Sequence, residues 1–405
     1  MQKRFQNKKI ILGVCGGIAA YKVVELARLL QQEGAQVQVV MTEAAQNFIG
    51  SQTFQAVTGF PVWTTTNDAS FERSMAHIEL SSWADLVIIA PGTASMMAKM
   101  AHGMADDLLS IICLTVSVPV LVCPAMNVNM WQHPATQYNA KILEQRGVYI
   151  IGPDQGSQAC GAVGFGRMRE PEWICNAIEL LPIYNCLQGQ TVVLTAGPTR
   201  EPIDAVRFIS NRSSGLMGYA LAEALSFAGA VVTLISGPCS LVTPPGTDVH
   251  YVESASNMLE KVTSIIAPDD VFIGVAAVAD FRVINPAAHK IKKTQHSLQL
   301  ALEPTEDILA TIKQKKLAKC VIGFAAETAD VLEHARVKLR SKADIIIANK
   351  VSSSLGFEQK NNEVTILTAH EEIYIPPASK LVIAKQCVEF LKNYLGNNDD
   401  KYGAS

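Results

Sequence analysis

Short apolar runs alternate with helical patterns along almost the whole chain. In the first half these runs lie at Ile10–Val14, Val37–Met41, Leu86–Ala90, Val118–Cys123 and Val148–Ile151. They are mostly apolar instead of alternating, as expected for parallel strands that are buried on both faces. Between the first two runs, Ala19–Glu33 has the spacing of an amphipathic helix that ends at Gly34. This βαβ pattern predicts an open α/β sheet that binds ligands at the carboxyl ends of its strands.

The same alternation starts again after Leu181 and Pro182. Further strands are predicted at Thr191–Ala196, Val231–Ser236, Val271–Val275, Cys320–Ala325, Asp344–Ala348 and Glu363–Thr368. Helices are expected at 216–227 and 378–394, with a frayed tail from Gly396. Because 405 residues exceed what one hydrophobic core usually supports, we predict two Rossmann-like open-sheet domains, residues 1–187 and 188–405.

Composition excludes several classes of protein. The chain is 49% hydrophobic and 18% charged, with a net charge of -3, which is typical of a packed globular protein and not of a nucleic-acid-coating surface. Its nine cysteines are scattered, without metal-ligand spacing. The polar start, Met1–Lys9, and the lack of a long apolar stretch predict neither a signal peptide nor a membrane partner. We therefore expect a cytoplasmic protein.

A glycine turn, Gly16-Gly17-Ile18-Ala19-Ala20-Tyr21-Lys22, joins the first strand to its helix. Glycines let the backbone approach a ligand closely, and the free N–H groups at a helix start favour phosphate. Such a turn is also common without any ligand. The dinucleotide pattern G-x-G-x-x-G is absent, so a mononucleotide such as FMN fits better than NAD.

Two further motifs carry possible chemistry. Pro124-Ala125-Met126-Asn127 follows a buried strand, and the Asn127 side chain could both donate to a carboxylate and accept from an amide; helix capping alone would account for Asn127 but not for its neighbours. Residues 156–168 place four glycines around Cys160, which predicts a lid with a proton-donating thiol. His77 stands alone, and a lone histidine is more often structural.

With these motifs, residues 8–185 resemble the flavin-dependent cysteine decarboxylases, specifically the phosphopantothenoylcysteine decarboxylases. The resemblance implies a flavodoxin-like fold and FMN as cofactor. It makes His77 a base in an oxidative step, Asn127 a carboxylate ligand and Cys160 the proton donor. It places flavin contacts on Gly16, Gly17, Ile18, Thr42 and Ser95. This chain departs from the family pattern at Ser95, usually Asn or Asp, and at Ala162, usually acidic.

The second half has its own strand-end motifs. Residues 210–215, Ser-Asn-Arg-Ser-Ser-Gly, precede a helix and could bind phosphate, although Ser and Asn are also ordinary caps. Asp280 follows a strand and could hold Mg²⁺, and Lys290 in Lys-Ile-Lys-Lys could contact a triphosphate, although lysine runs usually face solvent. Lys338 and Lys342 are four residues apart and could point at one anion. No P-loop sequence is present.

Residues 190–395 resemble the phosphopantothenate–cysteine ligases, and the whole chain resembles the bacterial fusions of both activities. The motifs that carry this are those around Asn211, Asp280 and Lys290, together with Gly-Phe-Ala-Ala-Glu-Thr at 323–328. The resemblance implies that Asn211 serves an acyl-nucleotide intermediate and that Lys290 is catalytic. CTP contacts are implied at Gly274, Val275, Ala276, Asp280, Lys290, Asp307, Ile308, Phe324, Lys338 and Lys342. The family's Ser-Ser-Gly-Lys ends here in Leu216, and its Pro-Asp-Ile begins here with Glu306.

The resemblance further implies the substrates 4'-phosphopantothenate, L-cysteine and CTP, with Mg²⁺ on Asp280. It also implies a homo-oligomer built from decarboxylase trimers and ligase dimers. Two other interpretations stay open on the residues alone: an NAD-type Rossmann oxidoreductase and a non-catalytic flavin-binding protein. The absent G-x-G-x-x-G argues against the first, and the presence of both His77 and Cys160 argues against the second.

Overall fold

The computed structural model describes residues 3–64, 75–293, 298–327, 331–350 and 361–402, without the side chains of 326, 327, 331, 350 and 397–402. Thr328, the last residue of the motif at 323–328, lies outside these ranges. The chain divides into two compact units, Met1–Glu179 and Leu180–Ser405. Leu180, Ile183 and Leu187 pack in the core of the second unit, so the segment that precedes its first strand belongs to that core.

The first unit is a five-stranded parallel sheet in the order β2-β1-β3-β4-β5. Its strands are β1 Lys9–Val14, β2 Gln36–Met41, β3 Leu86–Gly92, β4 Val120–Pro124 and β5 Tyr149–Ile150. Its helices are α1 Ala20–Gln32, α2 Ser51–Thr58, α3 Ala76–Trp83, α4 Ala94–His102, α5 Leu108–Thr115, α6 Val128–Gln132, α7 Pro134–Gln145 and α8 Pro171–Leu180. This is the flavodoxin-like strand order, and the predicted strands of this half are confirmed.

Apolar packing covers both faces of this sheet. All seven residues of β3 are buried, which is why its sequence does not alternate. Helix α1 buries Val23, Leu26 and Leu30 on one side. On the other side, residues of α3, α4, α5 and α7 form one cluster with Ile11 and Val87. The segments after β1, β2, β3 and β4 therefore meet at the carboxyl edge of the sheet.

An antiparallel hairpin follows the sheet of the first unit. It consists of β6 Asp154–Ser157 and β7 Val163–Arg167, and its connection contains Cys160. The expected lid is therefore an ordered hairpin in the described structure, with defined contacts described below.

The second unit contains an eight-stranded sheet in the order β12-β11-β8-β13-β16-β17-β18-β19. The strands of the unit are β8 Thr191–Ala196, β9 Arg200–Pro202, β10 Phe208–Ser210, β11 Val231–Ser236, β12 Thr247–Tyr251, β13 Val271–Gly274, β14 Phe281–Val283, β15 Leu302–Pro304, β16 Cys320–Glu327, β17 Ile345–Lys350, β18 Asn361–Leu367 and β19 Glu372–Ser379. Its helices are α9 Leu216–Phe227, α10 Ala255–Ile265, α11 Ile308–Gln314, α12 Val331–Lys342 and α13 Lys380–Tyr402. Pairing is parallel as far as β17 and antiparallel for β18 and β19.

Alternate residues of the central strands face two different helix layers. Val192 and Leu194 of β8 pack in the cluster of α9 and α13, whereas Val193 packs in the cluster of α10, α11 and α12. The six predicted strands and the α9 helix are confirmed. The expected frayed tail is wrong as far as Tyr402, because α13 continues past Gly396; a single glycine weakens a helix without ending it. No helix in the described ranges has both the length and the apolar character to cross a membrane.

Candidate functional site

A cavity of about 1070 Å³ opens at the carboxyl edge of the first sheet. Most of the residues that the sequence assigned to a flavin site line it. They are Gly16, Gly17, Ile18, Thr42, Ser95, Asn127 and Cys160. The volume is at the upper end of what small-molecule sites occupy, so it accommodates a ligand the size of a mononucleotide.

The β1–α1 turn forms one wall of the cavity. A side chain on Gly16 would bring a Cβ to 2.6 Å from the Cβ of Ala44, so the backbone there requires glycine. The Thr42 hydroxyl accepts from the Ala45 N–H at 3.3 Å, and the Thr93 hydroxyl accepts from the Met96 N–H at 3.2 Å at the start of α4. Both hydroxyls thus act as helix caps, whereas the amino terminus of α1 has no side-chain cap and borders the same cavity, a position suited to an anionic ligand.

The β6–β7 hairpin is docked directly on the Asn127 loop. The Met126 N–H donates to the Gly166 carbonyl at 2.9 Å, and the Val128 N–H donates to Gln158 Oε1 at 3.1 Å. Gly166 has a φ of 152°, and a Cβ on it would lie 2.2 Å from the Met126 carbonyl oxygen. The hairpin can approach this closely only because position 166 has no side chain.

This docking brings Asn127 and Cys160 together. Asn127 Nδ2 lies 3.4 Å from Cys160 Sγ, while Asn127 Oδ1 accepts from the Asn129 N–H at 2.9 Å. Asn127 therefore caps α6 and also presents its amide to the thiol, so capping through Oδ1 leaves Nδ2 available. Both groups line the cavity and are open to a ligand there.

Cys160 differs from the other cysteines in its electrostatics. It is the exposed one of the nine, all of which lie in the described ranges. The Ala162 N–H and, to a lesser extent, the Asn127 amide lower the pKa of its thiol. Burial instead raises the pKa of Cys15 and of Cys123 to about 12. Cys160 is thus the cysteine at which hydrogen-bond donors outweigh burial and lower the pKa.

The structure does not bring His77 to this cavity. His77 lies in the first turn of α3 and is half-buried, and it is not among the described residues that line the cavity. Within one chain, the predicted base and the predicted proton donor therefore do not share a site.

Several charged residues of the cavity were missed by the sequence analysis. Lys99 pairs with Asp106 at 2.8 Å and with Asp107 at 2.7 Å, and all three line the cavity. Asp107 also caps α5, in a capping box with Ser110. The Asp-x-x-Ser spacing before an apolar run was the available sequence signal for that cap, but nothing in it pointed to a ligand.

A smaller pocket of about 90 Å³ lies in the second unit. The Ser213-Ser214-Gly215 segment before α9 meets the end of β13 there, and Phe324 of β16 completes the wall. Of the residues predicted to contact CTP, Val275, Ala276 and Phe324 line this pocket. Asn349, Asn362 and Lys380 also line it and were not predicted.

The other predicted ligase residues do not line this pocket. Asn211 Nδ2 donates to the Val278 carbonyl at 2.8 Å and so holds the segment after β13. Gly274 is the last residue of that strand. Asp280 and Lys290 are exposed. In the described ranges, no group of three or more His, Cys, Asp or Glu side chains could hold a metal ion.

Lys342 forms an ion pair with Asp307 of the same unit. Asp307 Oδ2 accepts from Lys342 Nζ at 2.5 Å, and Asp307 Oδ1 caps α11 through the Ala310 N–H at 2.9 Å. Burial acts to raise the pKa of Asp307, but these two partners and nearby Lys338 outweigh it and lower that pKa. Ile308 is buried as the first residue of α11.

Two protein families match the two units. The Flavoprotein family matches residues 2–181, and the DNA/pantothenate metabolism flavoprotein C-terminal domain matches residues 187–395. The chain therefore combines a flavoprotein unit with a pantothenate-metabolism unit.

Curated relatives match almost the whole chain. Coenzyme A biosynthesis bifunctional protein CoaBC of Escherichia coli strain K12 is 47% identical over 386 residues, 94% of this chain and 95% of that protein. The proteins of the same name from Vibrio vulnificus strain CMCP6 and Bacillus subtilis strain 168 are 45% and 43% identical, over 96% and 95% of this chain and 99% and 96% of those proteins. The chain belongs to the family of coenzyme A biosynthesis bifunctional proteins, which confirms the resemblance of its motifs.

Solved structures match each unit separately. The C-terminal domain of a coenzyme A biosynthesis bifunctional protein CoaBC is 40% identical and covers 53% of this chain and 99% of its own, with a TM-score of 0.45. The FMN-dependent cysteine decarboxylase SpaF is 32% identical and covers 40% of this chain and 91% of its own, with a TM-score of 0.36.

The Asn127–Cys160 contact makes a prediction for thiol reactivity. Iodoacetamide should modify Cys160 first, with a midpoint in its pH profile below the ordinary value of 9.0, because the Ala162 and Asn127 donors favour the thiolate. Asn127→Leu should move that midpoint upward. The measurement is the alkylation rate of the Cys160 peptide by mass spectrometry as a function of pH. A midpoint at or above 9.0 in the unmodified protein would contradict the assigned hydrogen bonds.

Proposed function

We propose that this chain carries out two consecutive reactions of coenzyme A biosynthesis. The second unit joins cysteine to 4'-phosphopantothenate with CTP, and the first unit decarboxylates the product with FMN. Family membership over nearly the whole chain supports both activities. The observation that carries the decarboxylase assignment is the Asn127–Cys160 contact of 3.4 Å at the wall of the large cavity.

The residues of the large cavity fit a flavin mononucleotide. The Gly16 backbone packs against Ala44, which a Cβ at position 16 would prevent, and Thr42 and Ser95 line the same cavity as this turn. FMN, when bound, supplies oxidation of the substrate thiol and the hydride that later reduces the product. We assign Gly16, Gly17, Ile18, Thr42 and Ser95 to this cofactor, since each lines the cavity.

Asn127 and Cys160 have complementary tasks in this reaction. The Asn127 amide binds the substrate carboxylate, whose bond to carbon breaks with loss of carbon dioxide. Cys160 then gives its proton to the resulting ene-thiol, a general acid step. The lowered pKa of Cys160 brings the thiol closer to the operating pH, where proton donation and reprotonation are both accessible.

In the second unit, the phosphopantothenate carboxylate is a poor electrophile and must first be activated. One carboxylate oxygen attacks the α-phosphorus of CTP, and the bond to the bridging oxygen breaks with release of pyrophosphate. The cysteine amine then attacks the acyl carbon, loses a proton and displaces CMP. We place the nucleotide along the edge formed by Gly274, Val275, Ala276 and Phe324, with Asn211 beside the acyl group, because Asn211 contacts the segment that follows these residues.

Lys290, together with an Mg²⁺ ion that Asp280 would hold, would offset the charge on the phosphates. Magnesium usually binds to proteins through one or two carboxylates and completes its shell with substrate phosphates. A single exposed carboxylate, such as Asp280, therefore suits an ion that arrives with the nucleotide. The exposed Lys290 can close on the same phosphates. Asp307, Ile308, Lys338 and Lys342 then belong to the nucleoside end, where the Asp307–Lys342 pair fixes the α11–α12 wall.

Oligomerisation reconciles His77 with its proposed role as a base. His77 does not line the cavity of its own chain, but it neighbours the exposed apolar side chains of Met75 and Ile78, 60% and 47% exposed. Exposed apolar residues beside the cavity, Ile18 and Tyr21, are 64% and 63% exposed. We infer that these patches meet in a trimer, where His77 completes the cavity of a neighbouring chain, and that the ligase units pair as dimers.

Replacing the proton donor should separate carbon dioxide release from product formation. Cys160→Ser should keep the flavin spectrum and release carbon dioxide, but form 4'-phosphopantetheine at least about 100-fold more slowly, because the general acid is lost. The oxidised, decarboxylated product should accumulate and is measured by mass spectrometry. Cys186→Ser, in the second unit, serves as the control. Unchanged phosphopantetheine yield from Cys160→Ser would exclude the assignment.

Mixed oligomers test the location of His77. His77→Asn and Cys160→Ser chains should each fail to form 4'-phosphopantetheine at a normal rate. When both are expressed together, about one site in four should combine an unaltered His77 with an unaltered Cys160 by random assembly. Formation of 4'-phosphopantetheine should therefore return to about a quarter of the normal rate, while ligation is normal in all samples. Mixtures as inactive as the single variants would show that both residues must lie in the same chain.

Oxygen labelling tests the acyl-cytidylate. If the carboxylate of phosphopantothenate carries heavy oxygen, one labelled atom must end in the phosphate of CMP. An acyl-phosphate route would give CDP and labelled inorganic phosphate instead. Lys290→Gln should slow pyrophosphate release by at least about tenfold, because a positive charge near the phosphates is lost. Lys293→Gln, another exposed lysine of this segment, is the control. Unlabelled CMP would rule the mechanism out.

A further inference from the structure

Lys380 is a buried cation for which the described part of the chain offers no partner. Its side chain belongs to a residue only 8% exposed, at the first position of α13. Among the described residues, neither a carboxylate nor a hydrogen-bond acceptor offsets its charge, and burial alone lowers its pKa. The position is also unfavourable for a cation because the amino terminus of a helix carries partial positive charge. Lys380 therefore costs the empty protein stability.

The pocket that Lys380 lines is rich in donors. Helix α9 begins there with Gly215 as its cap, a residue that has no side chain to satisfy the first turn. The N–H groups of Leu216, Met217 and Gly218, in the first turn of the 12-residue α9, have no intrahelical acceptor. All three residues line the pocket. A cation and backbone donors thus converge on one small space.

A second buried polar group there also lacks a partner within the described ranges. Asn349 Oδ1 is buried and accepts no hydrogen bond from the described residues, although Asn349 lines the same pocket. Unpaired buried polar groups are rare in folded proteins, since each one costs free energy. Asn349 Oδ1 is an acceptor and needs a donor, which a phosphate oxygen does not provide, so the Lys380 ammonium is the group here whose missing partner an anion would supply.

The size and charge of the pocket specify the ligand. Its volume of about 90 Å³ is roughly three times the volume share of a water molecule, about 30 Å³, which suits a phosphoryl group and not a nucleoside. Among the described residues that line it there is no Asp or Glu. The pocket therefore favours an anion with several acceptor oxygens.

We propose that Lys380 is the cationic residue of a phosphoryl subsite in the ligase unit, where it binds the pyrophosphate part of the nucleoside triphosphate. This inference rests on the proposed ligase function. Lys380 holds the charge that grows on the leaving pyrophosphate as its bond to the α-phosphorus breaks, and the α9 amides bind the same oxygens. It acts together with Val275, Ala276 and Phe324, which line the same pocket.

The test compares Lys380→Met with the unaltered full-length protein. Methionine keeps most of the length of the side chain without its charge. Inorganic pyrophosphate should bind the variant about 10- to 100-fold more weakly by titration calorimetry, as expected for loss of a charged hydrogen bond. The KM for CTP should rise, and the melting temperature of the ligand-free ligase unit should rise as well, because an unpaired buried charge has been removed. Lys392→Met, at an exposed position of the same helix, should change none of these.

Each outcome decides the proposal. Unchanged pyrophosphate affinity in Lys380→Met would overturn it, and a lower melting temperature would show that Lys380 supports the fold. The proposed ligase function is tested separately by the unaltered protein, which must release pyrophosphate from CTP only when phosphopantothenate is present. If the unaltered protein does so and Lys380→Met binds pyrophosphate normally, the subsite assignment alone fails. An unchanged flavin spectrum in both variants shows that the first unit is intact.

Discussion

Burial of parallel strands on both faces is the constraint on which the rest of this structure depends. A parallel sheet needs helices on each side, because its strands are linked by crossovers that must pack somewhere. In the first unit β3 is buried along its whole length, and in the second unit neighbouring residues of β8 face opposite helix layers. Helices thus take up the faces of both sheets. The chemistry is therefore confined to the carboxyl edges, where the glycine turn, Asn127 and the segment after β13 all lie.

At the edge of the first sheet, reactivity depends on a close approach between two backbones. Gly166 allows the hairpin to reach the Asn127 loop, and that contact places the Cys160 thiol beside an amide donor. The buried Cys15 lines part of the same cavity, yet its pKa is raised to about 12. Two thiols that line one cavity therefore have pKa values shifted in opposite directions. The difference comes chiefly from burial, because Thr93 donates to Cys15 as well but does not outweigh the loss of solvent there.

The central strands could be predicted from the sequence, because a short, continuous apolar run between turn residues is typical of a strand buried on both faces. It was less informative at the sheet margin, where β19 contains two prolines, a composition that argues against a strand except at an edge. In the large cavity, the loop residues Asn127 and Cys160 were singled out from the sequence, and both line it. The position of His77 could not, because a sequence gives the local helix but not which cavity that helix faces. Lys380 was missed because a lysine at a helix start is ordinarily solvated.

The lysines of the first cavity are ion-paired, whereas Lys380 in the pocket of the second unit has no ion pair with any described residue. This difference matches the ligands proposed for the two sites. In the first cavity Lys22 pairs with Glu170 and Lys99 pairs with Asp106 and Asp107, so the wall is electrostatically satisfied before any ligand binds. A cofactor that stays bound through each turnover does not need an unpaired charge. In the second unit Lys380 has no partner among the described residues, at a cost to the empty protein. A ligand that binds only the folded state recovers such a cost in proportion to its affinity. An unpaired, buried lysine therefore gains a partner when the proposed triphosphate binds. The stability that Lys380 costs the ligand-free protein is consistent with selection for binding at the expense of stability.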